Sequence, residues 1–322
     1  MEREIREQPE LLARLAMRTE PGELAAAVLA RRPAVIQFVA RGTSGHVAVY
    51  AKYLIEATSG IPVSIVTPST VTLHGGAPWR EDGVVIAISQ SGESPDLVAC
   101  VRSARETGAL TVTLTNSPDS TLARAAELVL GFGAGPEVAV AATKSYVTSA
   151  LLVAQLAAAL VGQSWDFDRL AAAADRLVAD RPGIVAGLVA LESARAVVVL
   201  GRGYTFANAR EAALKIMETC SLPALGFSSA EFLHGPIAVL GPDVVTLVLP
   251  DGGEDAASRA AALDRLRARG GTVLEWQPSP IDSRLAPIVD VIPMQLLALE
   301  HSRRIGLDAD RPESLAKATA TL

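Results

Sequence analysis

Apolar runs of strand length alternate along this chain with longer Ala-, Leu- and Arg-rich stretches, and that alternation leaves few folds open. The runs are AVIQFVA (34–40), VVIAIS (84–89), LTVTLT (110–115), ELVLGF (127–132), AVVVLG (196–201), VVTLVLP (244–250), TVLEW (272–276) and IVDVIPM (288–294). Strands that are apolar on both faces and separated by helices belong to a parallel sheet covered on each side, so the predicted class is α/β, doubly wound. Shifted by 161 residues, the chain matches itself: VIQFVARGTS (35–44) falls on VVVLGRGYT (197–205), Val84-Val85 on Val245-Thr246, Gly92-Glu93 on Gly253-Glu254, and Thr111-Val112 on Thr272-Val273. The expected organisation is a duplicated domain, with copies at 34–165 and 195–322, a connecting helix at 166–194, and one or two amphipathic helices packed outside over 1–33.

Composition narrows the function. Half of the 322 residues are apolar and a fifth charged, enough apolar content for two cores. The 29 Lys and Arg against 35 Asp and Glu give a net charge of −6, and no basic run is present to follow a phosphate backbone. Nucleic acid is therefore not expected as a partner. Cys100 and Cys220 lie in apolar surroundings and read as reduced core residues of a cytoplasmic protein. MEREIREQPELLARL at the start alternates charges, unlike a signal peptide. The longest apolar stretch, Val147 to Gly162, is interrupted by Gln155 and falls short of the roughly 20 residues that span a bilayer, so a buried helix is expected and no membrane segment. His46, His74, His234 and His301 show no ligand spacing, and no metal is implied.

The strongest local signal is SQSGES (89–94), which follows the run VVIAIS and precedes Pro95-Asp96 and a helical stretch. Ser94 suits the N-cap and Pro95 the first helical position, where a missing N–H is harmless. Free amides and the hydroxyls of Ser89, Ser91 and Ser94 then converge at a helix N-terminus on the carboxyl edge of a parallel sheet, where open α/β folds bind anions. A serine-capped turn is the plainer alternative. Two features favour the anion site: RGTSG (41–45) ends the first run with another small polar turn, and the second copy has PDGG (250–253) where the first has SQSG. The fold itself thus does not demand the hydroxyls. RGTSG lacks the glycine spacing of a nucleophile elbow, and GRGYTF (201–206) has Phe206 at the third glycine of a dinucleotide fingerprint, so neither a serine hydrolase nor a nucleotide cofactor is expected.

The second copy holds acid/base candidates. In AREAALKIMETC (209–220), Glu211, Lys215 and Glu218 share one helix face at i, i+4 and i+7, a pattern whose plain reading is a salt-bridged solvent face. Starting one turn after a strand end, the face is placed to serve a crevice, where a carboxylate can move a proton between adjacent carbons. AEFLHGP (230–236) puts His234 in a turn before Gly-Pro and an apolar strand, and Lys317 lies near the end in LAKATATL.

Taken in order, RGTSG, ISQSGESPD, GPEVAVAATKSY (135–146), LGRG with EAALKIMET, AEFLHGP and DRPESLAK resemble the double sugar-isomerase (SIS) domain family, from about residue 20 to the C-terminus. The chain is similar to the isomerase half of glucosamine-6-phosphate synthases and to stand-alone glucosamine-6-phosphate deaminases. The resemblance implies two flavodoxin-like sheets of five parallel strands. It implies that Ser89, Gln90, Ser91 and Ser94 hold a sugar 6-phosphate, with Thr43 and Ser44 closing the site, and that the Val140 to Ala142 segment contacts the sugar; the synthases commonly have serine where this chain has Ala142. Glu218 matches the carboxylate that moves the proton between C1 and C2, Glu211 and Lys215 its supporting face, and His234 a ring-opening histidine reaching the site from the neighbouring subunit of a homodimer. Lys317 matches a lysine on a tail that returns to the site and can form a Schiff base with the ketose carbonyl. The synthases also carry an N-terminal glutaminase domain not found in this sequence, so the resemblance points to release of ammonia from a hexosamine 6-phosphate, with isomerisation or deglycation of another phosphosugar, or binding without turnover, as alternatives.

Overall fold

The computed structural model describes residues 1–179, 182–250, 256–313 and 315–317. Helices α1 (Glu2–Arg6), α2 (Gln8–Leu15) and α3 (Glu20–Ala30) precede β1 (Ile36–Ala40), α4 (Gly42–Ser59), β2 (Val63–Ile65), α5 (Ser69–Thr72), β3 (Val84–Ser89), α6 (Pro95–Glu106), β4 (Leu110–Thr115), α7 (Thr121–Ala125), β5 (Leu128–Gly131) and α8 (Lys144–Leu160). Then follow α9 (Arg169–Ala179), α10 (Pro182–Leu191), β6 (Ala196–Gly201), α11 (Phe206–Cys220), β7 (Ala224–Ser228), α12 (Ser229–Phe232), β8 (Val244–Val248), α13 (Ala256–Arg267), β9 (Thr272–Glu275), α14 (Ala286–Asp290) and α15 (Ile292–Arg304). These elements form two compact units, one built around β1 to β5 from residues 11–137, 144–167 and the described tail residues Ala316 and Lys317, the other around β6 to β9 from 1–10, 138–143 and 168–315.

Both sheets are wholly parallel, in the orders β2-β1-β3-β4-β5 and β7-β6-β8-β9. Every residue of β3 and β4 is buried, as expected of strands covered on both faces. The duplicated α/β architecture is as the repeat predicts, and it extends to two strands that the apolar pattern passes over. β2 begins at Val63 and β7 at Ala224, which preserves the offset of 161. β2 is only three residues long. β7 contains Gly226, where a Cβ would sit 2.6 Å from the Ala209 carbonyl on α11; the glycine that disguises the strand is what lets it lie against that helix.

One expected strand is absent. IVDVIPM forms the end of α14 and the start of α15, so the second sheet has four strands among the described residues. Pro287 and Pro293 sit in the first turns of these helices, where the lost N–H is harmless, whereas a central strand would need it. The long apolar stretch is the buried helix α8, and its interrupting Gln155 donates to the carbonyls of Leu15 and Ala16. Residues 1–33 form three helices rather than one or two, and they are not merely an outer layer: Glu4, Ile5, Gln8, Leu12 and Val28 are buried. Segment 166–194 holds α9 and α10, on either side of residues 180 and 181, which lie outside the described residues. A 3-10 helix, Pro236–Val239, replaces the strand expected after His234, with Pro236 in its first turn. No helix among the described residues is long and apolar enough to cross a membrane.

Candidate active site

In the β1 to β5 unit, β1 and β3 are adjacent and in register through Ala40 and Ile88, so their carboxyl ends open at one sheet edge. The chain leaves β1 toward β2 on one side and returns to β3 on the other. This is the switch point where open α/β sheets bind ligands. Both candidate loops start there. Thr43 and Ser44 lie half-buried in the first turn of α4, entered through Gly42 at φ +49°. Ser94 caps α6 by position, with Pro95 in the first turn, and its side chain makes no capping hydrogen bond.

Internal bonds shape the loop after β3. The Ser89 hydroxyl accepts the Gly92 N–H at 3.1 Å and the Ser91 hydroxyl accepts the Glu93 N–H at 3.3 Å, which leaves both O–H groups as donors for an anion. Gln90 is half-buried between them. Gly92 sits at φ +67°, and a Cβ there would lie 2.0 Å from Ser120 Oγ. Its carbonyl accepts the Leu122 N–H, and Glu93 accepts both the N–H and the hydroxyl of Thr121, bonds that hold the Glu93 carboxyl below the usual range. The loop is thus lashed to the start of α7. Residues 251–253 of PDGG, and Gly253-Glu254 of the repeat match, lie outside the described residues.

One pair at this edge was not singled out from the sequence. Asp96, fully buried in the first turn of α6, accepts from Arg41 Nε at 2.8 Å and from its second guanidinium nitrogen at 2.8 Å. A carboxylate in a first turn is favoured by the helix dipole. Here it also ties the end of β1 to the loop after β3. Arg41 stands in RGTSG and Asp96 in ISQSGESPD, but at 55 residues apart no spacing pairs them.

In the β6 to β9 unit, α11 brings Glu211, Lys215 and Glu218 together. Lys215 Nζ lies 3.4 Å from Glu211 Oε1 and 2.5 Å from Glu218 Oε2. The alternative of a solvent face does not hold, because the Glu211 and Lys215 side chains are at most 1% exposed and only Glu218, at 23%, reaches solvent. A carboxylate that is accessible on one side and held by a buried ammonium on the other can take up and return a proton at a fixed position. His234 stands exposed in the turn after α12 and bonds to none of these three. It lines a separate cavity of about 440 Å³ with Arg202, Ser258 and Arg265. Val140 and Ala142 are half-buried in a segment without regular secondary structure.

Lys317 belongs to the β1 to β5 unit, where its Nζ donates to Glu137 Oε2 at 2.9 Å. Glu137 is buried and also accepts the Ser145 N–H at 3.0 Å and the Ser145 hydroxyl at 2.7 Å, in the first turn of α8. At eight residues from Ser145, Glu137 lies outside any capping spacing, so local pattern does not reveal it.

Residues 30–159 and 190–275, which contain both sheets, match the SIS domain family, and the chain belongs to it. Among its relatives is a glutamine–fructose-6-phosphate aminotransferase (isomerizing) from Methanothermobacter thermautotrophicus, 32% identical over 302 residues, 88% of this chain and 51% of the relative. The chain thus spans about half the length of the curated relatives it matches. Among solved structures, a protein from Silicibacter pomeroyi described as a presumptive phosphosugar isomerase is 33% identical, with a TM-score of 0.84 over 96% of this chain and 99% of that one. A glucosamine-6-phosphate deaminase from Thermotoga maritima, 22% identical with a TM-score of 0.82 over 99% of each chain, shares the fold.

Proposed function

We propose that this SIS protein is an amino-sugar-phosphate deaminase and isomerase that converts glucosamine 6-phosphate to fructose 6-phosphate and ammonia. The observation that carries the reading is the α11 cluster: a solvent-accessible Glu218 held at 2.5 Å by a buried Lys215, itself 3.4 Å from a buried Glu211. Hydroxyls of Ser89, Ser91 and Ser94, with Gln90, Thr43 and Ser44, hold the 6-phosphate, and Val140 and Ala142 contact the sugar. His234 assists ring opening. Glu218 takes the C2 proton of the open-chain amino aldose and delivers it to C1, while a second proton passes from the amine nitrogen to O1, so that C1 becomes a CH₂OH group and C2 an imine. Water adds to the imine carbon and the nitrogen leaves as ammonia, giving the 2-ketose. Lys317 is available to engage the ketose carbonyl, in which case its amine gives up the bond to Glu137.

We further propose that the enzyme is a cytoplasmic homodimer in which His234 serves the neighbouring subunit. The two free, buried cysteines suit a reducing compartment. Mixing His234→Ala and Glu218→Gln chains then restores part of the activity; mixtures that never recover it contradict the shared arrangement. The reaction itself is tested by assaying a panel of hexosamine and aldose 6-phosphates without glutamine. Ammonia formed in step with ketose phosphate is expected. Ketose phosphate from an aldose phosphate, with no ammonia from any hexosamine phosphate, replaces deamination with isomerisation. Binding without turnover of any member replaces both with a sensor.

A further inference from the structure

Segment 138–143 has no regular secondary structure, yet its backbone is held by groups remote in sequence and in the same unit. Glu4 Oε1 accepts the N–H of Val138 at 2.5 Å and of Ala139 at 3.2 Å. The Asp310 carbonyl accepts the Val140 N–H at 3.0 Å. Gln295 donates to the Thr143 carbonyl at 3.2 Å, while its own carbonyl accepts from Gln8 at 2.7 Å. Glu4 is 1% exposed and both glutamines are fully buried. The other Glu4 oxygen lies 3.4 Å from the Met1 amino group.

Burying a carboxylate is unfavourable unless its bonds replace water, and irregular backbone usually stays in solvent, where water satisfies it. Here α1 and α15 supply the buried side chains of Glu4 and Gln295 to the two ends of a coil, the second braced by Gln8 of α2, so the coil is held to one conformation rather than left to sample several. Between these two side-chain ties lie Val140, itself held through its N–H by the Asp310 carbonyl, Ala141 and Ala142, and Val140 and Ala142 are the proposed sugar contacts. We infer that Glu4 and the Gln8–Gln295 pair are positioning residues, which set this stretch to receive the sugar portion of the substrate and take no part in holding its phosphate. The inference rests on the reading of Val140 and Ala142 given above.

The separation of sugar from phosphate supplies the test. Calorimetric titration of the full chain with inorganic phosphate, and with glucitol 6-phosphate, an open-chain hexitol phosphate with no carbonyl to react, reads the two parts independently. Leaving two coil amides without their buried acceptor, Glu4→Ala is expected to weaken hexitol phosphate binding about ten-fold with phosphate affinity held within about two-fold. Glu4→Gln keeps an acceptor oxygen and is expected to recover hexitol phosphate affinity to within about three-fold of the parent chain. A general structural defect would lower both affinities together, and that result, or no change in either, overturns the proposal. Should Glu4→Ala fail to fold, the Gln8→Met/Gln295→Met pair keeps the packing volume while cutting the tie to Thr143, and the same split is expected of it. A parent chain that binds inorganic phosphate but no hexitol phosphate refutes the functional reading itself, an outcome distinct from failure of the positioning role.

Discussion

Gly92→Ala tests whether the hydroxyl loop has the backbone described. At φ +67° a residue with a Cβ pays about 1–2 kcal/mol for the left-handed conformation. The added carbon would also meet Ser120, with Oγ at 2.0 Å and Cβ at 2.5 Å. Ser120 cannot simply turn aside, because its hydroxyl accepts the Ala123 N–H as the cap of α7, a bond whose loss costs about 1 kcal/mol. With the overpacking of a filled site, the total is on the order of 3–5 kcal/mol, a large share of the ~5–15 kcal/mol that holds a typical domain together. Urea unfolding followed by tryptophan fluorescence reports it, since Trp79 and Trp165 both lie in the β1 to β5 unit. Gly22→Ala is the control: Gly22 lies in α3 with no atom within 4 Å of an added Cβ, and the change should stabilise by about 0.5 kcal/mol or a little more. Adding Ser120→Gly to Gly92→Ala removes the clash and should restore the overpacking part while leaving the backbone strain. Inorganic phosphate affinity should fall with the loop. If Gly92→Ala unfolds at the midpoint of its Gly22→Ala control and binds phosphate normally, the left-handed, tightly packed loop conformation is refuted.

Two further outcomes follow from buried groups. Burial pushes the Asp290 carboxyl up to about 6, only partly offset by the N–H and hydroxyl of Ser279. The folded chain therefore keeps a proton that the unfolded chain releases near the ordinary value. Stability from this group declines as pH rises from about 4 to about 6, by at most ~3 kcal/mol, and is level above that. The difference in unfolding free energy between the parent chain and Asp290→Asn should show that slope, and a difference independent of pH from 4 to 6 contradicts it. For the cysteines, burial pushes Cys100 up to about 12 and also raises Cys220, so a thiol reagent at pH 8 should find neither in the folded protein and both after denaturation. Rapid labelling of the native chain would count against the packing around α6 and α11.

Legibility in the sequence followed how local each cause was. β3, β4, β6 and the hydroxyl loop could be read because a doubly buried strand is continuously apolar and a Ser-Pro junction marks a helix start. Gly226 and the prolines at 287 and 293 misled because their role depends on what packs beside them: a helix backbone for the first, a helix start for the others. Glu218 and Lys215 were visible through helical periodicity, but that periodicity could not distinguish a buried face from a solvated one. Glu137, Asp96 and Glu4 gave no usable sign. Their partners, Lys317, Arg41 and Val138, lie 180, 55 and 134 residues away, and single-sequence spacing cannot register such pairs.

The proposed reaction turns on Glu218 as the proton-moving group. Turnover of glucosamine 6-phosphate by Glu218→Gln, measured beside the parent chain as ammonia release, tests this most directly. General acid/base catalysis typically contributes about 10²–10⁴-fold, so kcat should fall on that scale, with hexitol phosphate binding nearly unchanged because the amide preserves shape and the phosphate loop is untouched. Parent-level turnover in the Gln variant would contradict the account.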